Sequence, residues 1–167
     1  MDYRQLNNTT LKDSYHLHRI DDTLYAVAGS NWFSTLDLKS GYCQVEMDKV
    51  GKEKTAFSTG KGLYQFTVMS FGLCKAHAIF ERLMESVLGS MPWHSCLMYL
   101  DDVLGKLKNI WLSYSRTNLD WVFGHLRQAG LKLSLEKCTL FSKEVAYLTQ
   151  VIGHVEVKID PGKITAV

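Results

Sequence analysis

A pair of adjacent aspartates inside an otherwise apolar run is the feature of the sequence that most constrains its fold. The run covers residues 95–104, reads SCLMYLDDVL, and carries Asp101 and Asp102. Two unpaired carboxylates in apolar surroundings would repel each other and lose their hydration, which is energetically costly. In one continuous strand the two acids would point to opposite faces. The run therefore predicts two strands joined by a tight turn, with both acids at the turn.

A third acid lies near the end of another apolar strand. Residues 32–38 read WFSTLDL, a composition that favours β structure, and carry Asp37 next to the end. Three carboxylates on neighbouring strand ends would form an oxygen-rich site suited to magnesium. The alternative is that Asp101 and Asp102 form an ordinary turn and that Asp37 is only a cap. Spacing alone does not decide between these two interpretations.

Strand and helix patterns alternate along the remainder of the chain. A hairpin is predicted around Gly60, because a glycine-rich turn separates two segments rich in strand-forming residues. Each predicted helix has apolar side chains at helical spacing and is followed by a glycine that ends it. The predicted helices are residues 77–88 and 112–129, and the predicted strands are residues 42–47, 55–59, 63–69, 145–148 and 151–159.

Composition and charge set broad limits on function. The 167 residues are 46% hydrophobic and 22% charged, which is enough for a packed core and argues against disorder. The net charge is only +2, but five lysines and a single acid, Glu53, occur between Lys49 and Lys75. This basic stretch suits a polyanionic partner, although a solvated hairpin would have the same composition.

The four cysteines and the hydropathy pattern indicate a compartment. The cysteines lack Cys-x-x-Cys spacing, so free thiols in a reducing environment are expected. The sequence contains no signal peptide and no apolar run long enough to span a bilayer. We therefore expect an intracellular protein of the cytoplasm or nucleus that has no membrane partner.

Five segments resemble, in order, the motifs of reverse transcriptases from gypsy-like long-terminal-repeat retrotransposons. A YxDD sequence alone would be a weak signal, whereas five motifs in the same order along nearly the whole chain are a strong one. The segments are DYRQLN at residues 2–7 (fingers motif), FSTLDL and SGY at 33–42 (motif A), FGLC at 71–74 with Ala76, Ala78 and Phe80 (motif B), YLDD at 99–102 (motif C), and 130–138 (motif D). Tyr147 and Leu148 begin what would be the primer grip.

The resemblance implies an α+β fold, the fingers-and-palm fragment of a right-hand polymerase. Its palm would have a ferredoxin-like antiparallel sheet with helices on one face. The fingers would cover roughly residues 1–30 and 49–70, and the palm roughly residues 31–48 and 71–160. A helix start at Asp160 is followed by only about one turn. We therefore expect a piece of a longer Pol polyprotein whose thumb, connection, RNase H and integrase parts are absent from this chain.

The resemblance also implies roles for particular residues. Asp37, Asp101 and Asp102 would bind two Mg²⁺ ions, with Mn²⁺ as a substitute, and add deoxynucleotides (dNTPs) to a primer on an RNA or DNA template. Lys137 would be the catalytic acid that protonates pyrophosphate, although an exposed surface lysine fits its position equally well. The implied substrate-binding residues are Leu38 (through its carbonyl), Tyr42 as a gate against the 2′-hydroxyl, Phe71 and Gly72, and the implied nucleic-acid-binding residues are Arg4, Lys52, Lys54 and Lys61.

Several positions depart from the family pattern. Loss of the two motif B prolines should loosen the start of the following helix, because proline fixes φ there. We also expect a Gly-Lys pair to break the strand after YLDD. The departures are Ser70, His77, His16 and His18 in place of prolines, Lys75 in place of asparagine, Thr149 and Gln150 in place of Gly-His, and Gly105 with Lys106 after YLDD.

Three functions from different classes follow. The first is RNA-directed DNA polymerase, by descent. The second is a degenerate copy that acts only as a non-catalytic nucleic-acid-binding or interaction module, which the departures favour. The third, an unrelated magnesium phosphotransferase, leaves the order of the motifs unexplained. Because the departures and the absent parts all concern substrate positioning, we expect the isolated chain to have little or no polymerase activity.

Overall fold

A computed structural model describes residues 1–15, 30–91, 96–107, 113–148, 150–153 and 157–159. The sequence departures at positions 16, 18 and 149 and the helix start expected at residue 160 lie outside them. The helices are α1 (Arg4–Thr9), α2 (Lys49–Lys52), α3 (Ala76–Leu88) and α4 (Ser113–Gln128). The strands are β1 (Trp32–Asp37), β2 (Phe57–Thr59), β3 (Gly62–Tyr64), β4 (Cys96–Tyr99), β5 (Asp102–Leu107), β6 (Thr139–Ser142), β7 (Glu144–Tyr147), β8 (Gln150–Gly153) and β9 (Val157–Ile159).

A four-stranded antiparallel sheet forms the centre of the fold. Its strand order is β4-β5-β1-β6, so β1 and β5 are paired along both edges. The register between β1 and β5 places Leu36 opposite Val103 and Asp37 opposite Asp102. Because side chains alternate along a strand, Leu36 and Val103 lie on one face and Asp37 and Asp102 on the other.

Each face of this sheet is covered by a separate core. Helices α3 and α4 cover the Leu36 face, where Phe80, Met84 and Val122 are buried with it. Strands β7 and β8 cover the opposite face, in the core that includes Phe33. Burying side chains of this size stabilises the fold by about 1.5–3 kcal/mol each. The predicted arrangement of an antiparallel palm-like sheet with its helices on one face is therefore confirmed.

The helices and the hairpins agree with the sequence patterns in most places. Helix α3 ends before Gly89, helix α4 is followed by Gly130 in a left-handed conformation, and strands β2 and β3 form the predicted hairpin around Gly60. Strand β3 ends at Tyr64, however, and does not extend over the predicted residues 63–69. All four cysteines are free thiols, as expected. Among the described residues, no helix is long and apolar enough to cross a membrane.

The strand predicted over residues 42–47 is wrong. Residues Gly41–Gln44 form a 3-10 helix, in which the N–H of Val45 donates to the carbonyl of Tyr42 at 3.1 Å. The strands on both sides of β1 are β5 and β6, so the segment after β1 cannot pair alongside β1. Residues 45–47 are bonded instead to residues 67–69: the N–H of Met47 donates to the carbonyl of Thr67 at 3.0 Å, and the N–H of Met69 donates to the carbonyl of Val45 at 2.8 Å.

Two further strand predictions are corrected. Gly105 and Lys106 do not break the strand after YLDD, because β5 continues to Leu107 with Gly105 opposite Ser34 and Lys106 opposite Phe33. Pairing along both edges of β5 outweighs the low strand propensity of glycine. Residues 151–159 are not a single strand but parts of β8 and β9, which pair with each other antiparallel.

Candidate active site

The predicted tight turn is present in the YLDD sequence, residues 99–102, but it contains only one of the two acids expected there, since Asp102 already belongs to β5. Tyr99 ends β4 and pairs with Asp102, the first residue of β5, so only Leu100 and Asp101 lie in the turn. Leu100 has φ of 56°, in the left-handed region that a leucine rarely adopts. The N–H of Leu38, just after β1, donates to the carbonyl of Asp101 at 3.3 Å. The turn is thereby fixed to the end of β1.

Asp37 and Asp102 are direct cross-strand neighbours on the same face of the sheet. Asp37 is the last residue of β1 and lies opposite Asp102 in the ladder. Side chains of such partners have Cβ atoms about 4.5–5.5 Å apart, and like charges placed there destabilise the pair. Within the described part of the chain, the Oδ1 atom of Asp37 is buried and has no hydrogen-bond partner. An orphaned carboxylate oxygen beside a second carboxylate fits a hard divalent cation.

Asp101 lies next to Gly41, the residue that begins the 3-10 helix after β1. A methyl group at Gly41 would be 3.2 Å from the Asp101 Cβ atom and 2.8 Å from the Phe80 Cζ atom. Asp37 ends β1, Asp102 begins β5 directly opposite it, and Asp101 immediately precedes Asp102, so the backbones of the three aspartates lie close together. In the described residues no three His, Cys, Asp or Glu side chains are already grouped to hold one metal ion. The three-carboxylate site thus stays a prediction.

The segment around motif D is tied to the end of β1. The Lys137 ammonium lies 3.4 Å from Oδ2 of Asp37, the predicted metal ligand. The N–H of Ser134 donates to the Asp37 carbonyl at 2.9 Å, and the N–H of Asp37 lies 3.5 Å from Sγ of Cys138. Gln44 adds a second link, because its Nε2 donates to the carbonyls of Lys39 and Lys132. The contributions of Gln44 and Cys138 were not anticipated from the sequence.

Tyr42 is the centre of an aromatic cluster next to Asp101. Its ring is 8% exposed and makes edge-to-face contacts with Phe71, His77 and Phe80 at centroid distances of 5.3–5.4 Å. Burial, and then the charge on Asp101, raise the pKa of the Tyr42 phenol, so the hydroxyl stays protonated at neutral pH. Phe71 is 59% exposed, so its ring offers an open apolar surface beside Tyr42.

The FGLC loop, residues 71–74, is held by helix α1. Asn7 donates from Nδ2 to the carbonyl of Gly72 at 2.7 Å and accepts from the N–H of Cys74 at 2.9 Å. Tyr3 and Ser70 share a buried hydroxyl hydrogen bond of 2.9 Å. Gly72 has φ of 90°, a conformation that favours glycine. The sequence motif did not reveal that Asn7 binds two backbone groups of this loop.

The predicted nucleic-acid-binding residues lie on two separate segments. Arg4 is on α1, where its guanidinium forms an exposed ion pair with Asp2. Lys52 ends α2, Lys54 follows in a 3-10 turn, and Lys61 lies in the turn of the β2-β3 hairpin. The hairpin also carries stacked aromatic rings, with Phe57 and Tyr64 at a centroid distance of 5.9 Å. The lysines therefore share one partly aromatic surface segment, whereas Arg4 is neutralised locally.

Tyr147, from the predicted primer grip, is buried on the carboxylate face of the sheet. Its hydroxyl has no hydrogen-bond partner among the residues that the structure describes. Burial is the main cause that raises its pKa, and the charge of Asp102 is the next. The ring thus lies within electrostatic reach of the candidate metal ligand.

Comparisons with known proteins agree with the motif order. The family described as "Reverse transcriptase (RNA-dependent DNA polymerase)" matches residues 1–152. The Pol polyprotein from transposon 297 of Drosophila melanogaster is 36% identical over the whole chain, and that from transposon 412 is 40% identical over 92% of it. The chain spans only 16% and 12% of the lengths of these two relatives. An RNA-directed DNA polymerase homolog of Oenothera berteroana is 42% identical over 62% of the chain and 73% of its own length.

Solved structures show the same fold. The foamy viral protease-reverse transcriptase in complex with double-stranded DNA has a TM-score of 0.88 at 24% identity, covering 99% of this chain and 35% of that chain. Its complex with an RNA/DNA hybrid gives a TM-score of 0.87, covering 96% of this chain and 21% of that chain. With its matched family, its retrotransposon relatives and its fingers-and-palm fold, this chain belongs to the reverse transcriptase family.

Proposed function

We propose that this chain forms the polymerase site of an RNA-directed DNA polymerase that adds dNTPs to a primer 3′-hydroxyl. The observation that carries the proposal is the pairing of Asp37 with Asp102 at the end of β1, next to the turn that contains Asp101. Membership of the reverse transcriptase family supports it. Two Mg²⁺ ions, or Mn²⁺, would be held by these three carboxylates and the Leu38 carbonyl. When bound, such ions stabilise the charge on the attacking and leaving oxygens of an in-line displacement.

The other residues around the carboxylates would position the nucleotide. The buried Tyr42 ring would exclude a 2′-hydroxyl, because its three aromatic contacts leave it little room to move. The exposed Phe71 ring would support the base pair, and the left-handed Gly72 lets the backbone approach it closely. Lys137 would donate a proton to the leaving pyrophosphate from its place beside Asp37.

The template-primer would lie along the basic side of the chain. Lys52, Lys54 and Lys61 would contact phosphates, which gives binding that is independent of sequence and weakens with salt. Arg4 would join them after leaving its exposed pair with Asp2. We propose fingers at residues 1–30 and 49–70 and a palm at 31–48 and 71–160. Thumb, RNase H and integrase parts would come from the rest of a Pol polyprotein, as the length of the relatives suggests.

Metal-linked stability tests the carboxylate site without relying on turnover. Magnesium should raise the melting temperature, since a ligand at about 100 times its Kd stabilises a fold by about 2.7 kcal/mol. Asp102→Asn should remove most of that increase. Asp120→Asn, at an exposed acid on α4, is the matched control and should keep it. Equal melting curves with and without magnesium in the unmodified chain would rule out the proposed site.

Primer extension tests the chemistry itself. The purified chain is incubated with dNTPs and a primed RNA template in magnesium or manganese. We expect at most weak incorporation, because the motif B and primer-grip departures would displace the primer and nucleotide, and Asp101→Asn should abolish whatever incorporation occurs. Salt-sensitive template binding that is unaffected by metal and by Asp101→Asn, together with no incorporation, would instead favour the non-catalytic binding module.

A further inference from the structure

A buried carboxylate lies directly behind the YLDD turn. Glu81, on helix α3, is only 1% exposed, although it carries an ionisable group. Its Oε2 accepts a hydrogen bond of 3.1 Å from the N–H of Leu100. A carboxylate removed from water is costly unless hydrogen bonds compensate for the lost hydration. The roles given above to the aspartates and the aromatic cluster leave Glu81 without a function.

The turn needs an external support of this kind. Hairpin turns of two residues require left-handed backbone, which glycine and asparagine adopt readily and leucine does not. Leu100 is nevertheless left-handed, with φ of 56°. Its N–H is bonded to a side chain from a distant helix, so the conformation is held by tertiary structure instead of by the turn sequence. Asp101 is the next residue, and its backbone moves with this turn.

Helix α3 is a rigid base for the support. Phe80 and Met84, on either side of Glu81 in the chain, are fully buried in the core beneath the central sheet. Phe80 also contacts the place where Gly41 and Asp101 approach each other. The helix thus holds the turn through the Glu81 carboxylate, and the Phe80 ring packs against Gly41 beside it.

We propose that Glu81 is a positioning residue that holds the Leu100-Asp101 turn in the geometry needed for Asp101 to bind a divalent cation. The inference rests on the proposed function, because it assigns Glu81 a task within the same site. Glu81 itself need not touch the metal. Its carboxylate also contributes, after burial and the charge of Asp101, to the raised pKa of Tyr42, which agrees with its place behind the site.

Manganese affinity, measured from the free Mn²⁺ signal in electron paramagnetic resonance, separates this role from a merely structural one. Glu81→Gln keeps an oxygen acceptor of the same shape and should retain affinity close to that of the unmodified chain. Glu81→Met has similar volume but no acceptor. It should weaken Mn²⁺ binding by about 10- to 100-fold, the usual loss when a group that orients a metal ligand is removed. Glu85→Gln is the control, because Glu85 lies one turn along α3 and bonds to Tyr15 instead.

The possible results distinguish the two proposals. If the unmodified chain does not bind Mn²⁺, the proposed function fails, and this inference fails with it. If it binds and Glu81→Met binds equally well, even with a lower melting temperature, only the inference fails. Should Glu81→Met not fold, amide hydrogen exchange in the unmodified chain decides. The Leu100 N–H should exchange slowly, and exchange at the rate of an unprotected turn amide would overturn the proposal.

Discussion

Substituting Gly41 with alanine is expected to disturb the closest contact between the end of β1 and the YLDD turn. The new Cβ atom would lie 2.8 Å from Phe80 Cζ and 3.2 Å from the Asp101 Cβ. Carbon atoms pack best at about 3.5–4.0 Å, so the first contact is too short by roughly 0.7 Å or more. Phe80 is fully buried and has little room to withdraw. The turn that carries Asp101 therefore has to shift.

The expected cost follows from overpacking. Forcing an extra methyl group into a well-packed core costs about 1–3 kcal/mol in the free energy of unfolding. For a chain of this size, each kcal/mol lowers the melting temperature by about 2–4 °C. Because Gly41 has no left-handed φ, no backbone strain adds to this figure. The stabilisation by magnesium should fall as well, since Asp101 moves with the turn.

Urea unfolding with and without magnesium measures both effects. Gly124→Ala is the matched control: it lies within α4, and a Cβ there meets nothing within 4 Å in the described residues. Alanine should stabilise that helix by about 0.5–1 kcal/mol. If Gly41→Ala were as stable as the unmodified chain to within about 0.5 kcal/mol, the close approach of these elements would be refuted.

Three further results are expected. Asn7→Ala removes two hydrogen bonds and should lower the free energy of unfolding in urea by about 1–2 kcal/mol. Asn8→Ala, at an exposed neighbour, should change that free energy by less than about 0.5 kcal/mol, and equal effects would show that the Asn7 bonds do not stabilise the loop. Tyr147→Phe should leave stability unchanged or raise it by up to about 1–3 kcal/mol, because it removes a buried hydroxyl that has no partner in the described residues; a clear loss of stability would reveal a partner. Burial raises the pKa of the Cys96 thiol to about 12. At about pH 8 a thiol reagent should therefore label the exposed Cys74 and spare Cys96 until the chain unfolds, which mass spectrometry detects. Early labelling of Cys96 would contradict its burial.

Local patterns predicted the parts of the site, but not how they meet. The acids of the YLDD sequence and the acid at the end of β1 interrupt apolar runs; Asp37 at the end of its strand and Asp101 in the turn agree with the prediction, whereas Asp102 is the first residue of β5. The register that sets Asp37 opposite Asp102 joins strands distant in sequence, and local periodicity carries no information about such pairing. The 3-10 helix after β1 was missed for the same reason, because only the complete sheet shows that both sides of β1 are already paired.

The buried carboxylate of α3 had left a signal in the sequence. Glu81 is spaced three and seven residues from Met84 and Leu88, so it falls on the apolar stripe of the helix. An acid on such a stripe indicates a specific partner, because it is otherwise too costly to bury. The identity of that partner, the N–H of Leu100, depends on a left-handed leucine that local propensity does not predict.

The central place of β1 has a consequence for the order in which the chain folds. Strand β1 comes from the first quarter of the chain, and both of its neighbours, β5 and β6, come from the second half. During synthesis β1 therefore leaves the ribosome with two unpaired edges, which are templates for mispairing with other chains. Non-local pairing of this kind is slow to form, because the loop-closure entropy must be overcome before the contacts stabilise the sheet. We expect nascent chains that stop before β6 to aggregate, and a chaperone that shields β1 to increase the yield of the folded protein.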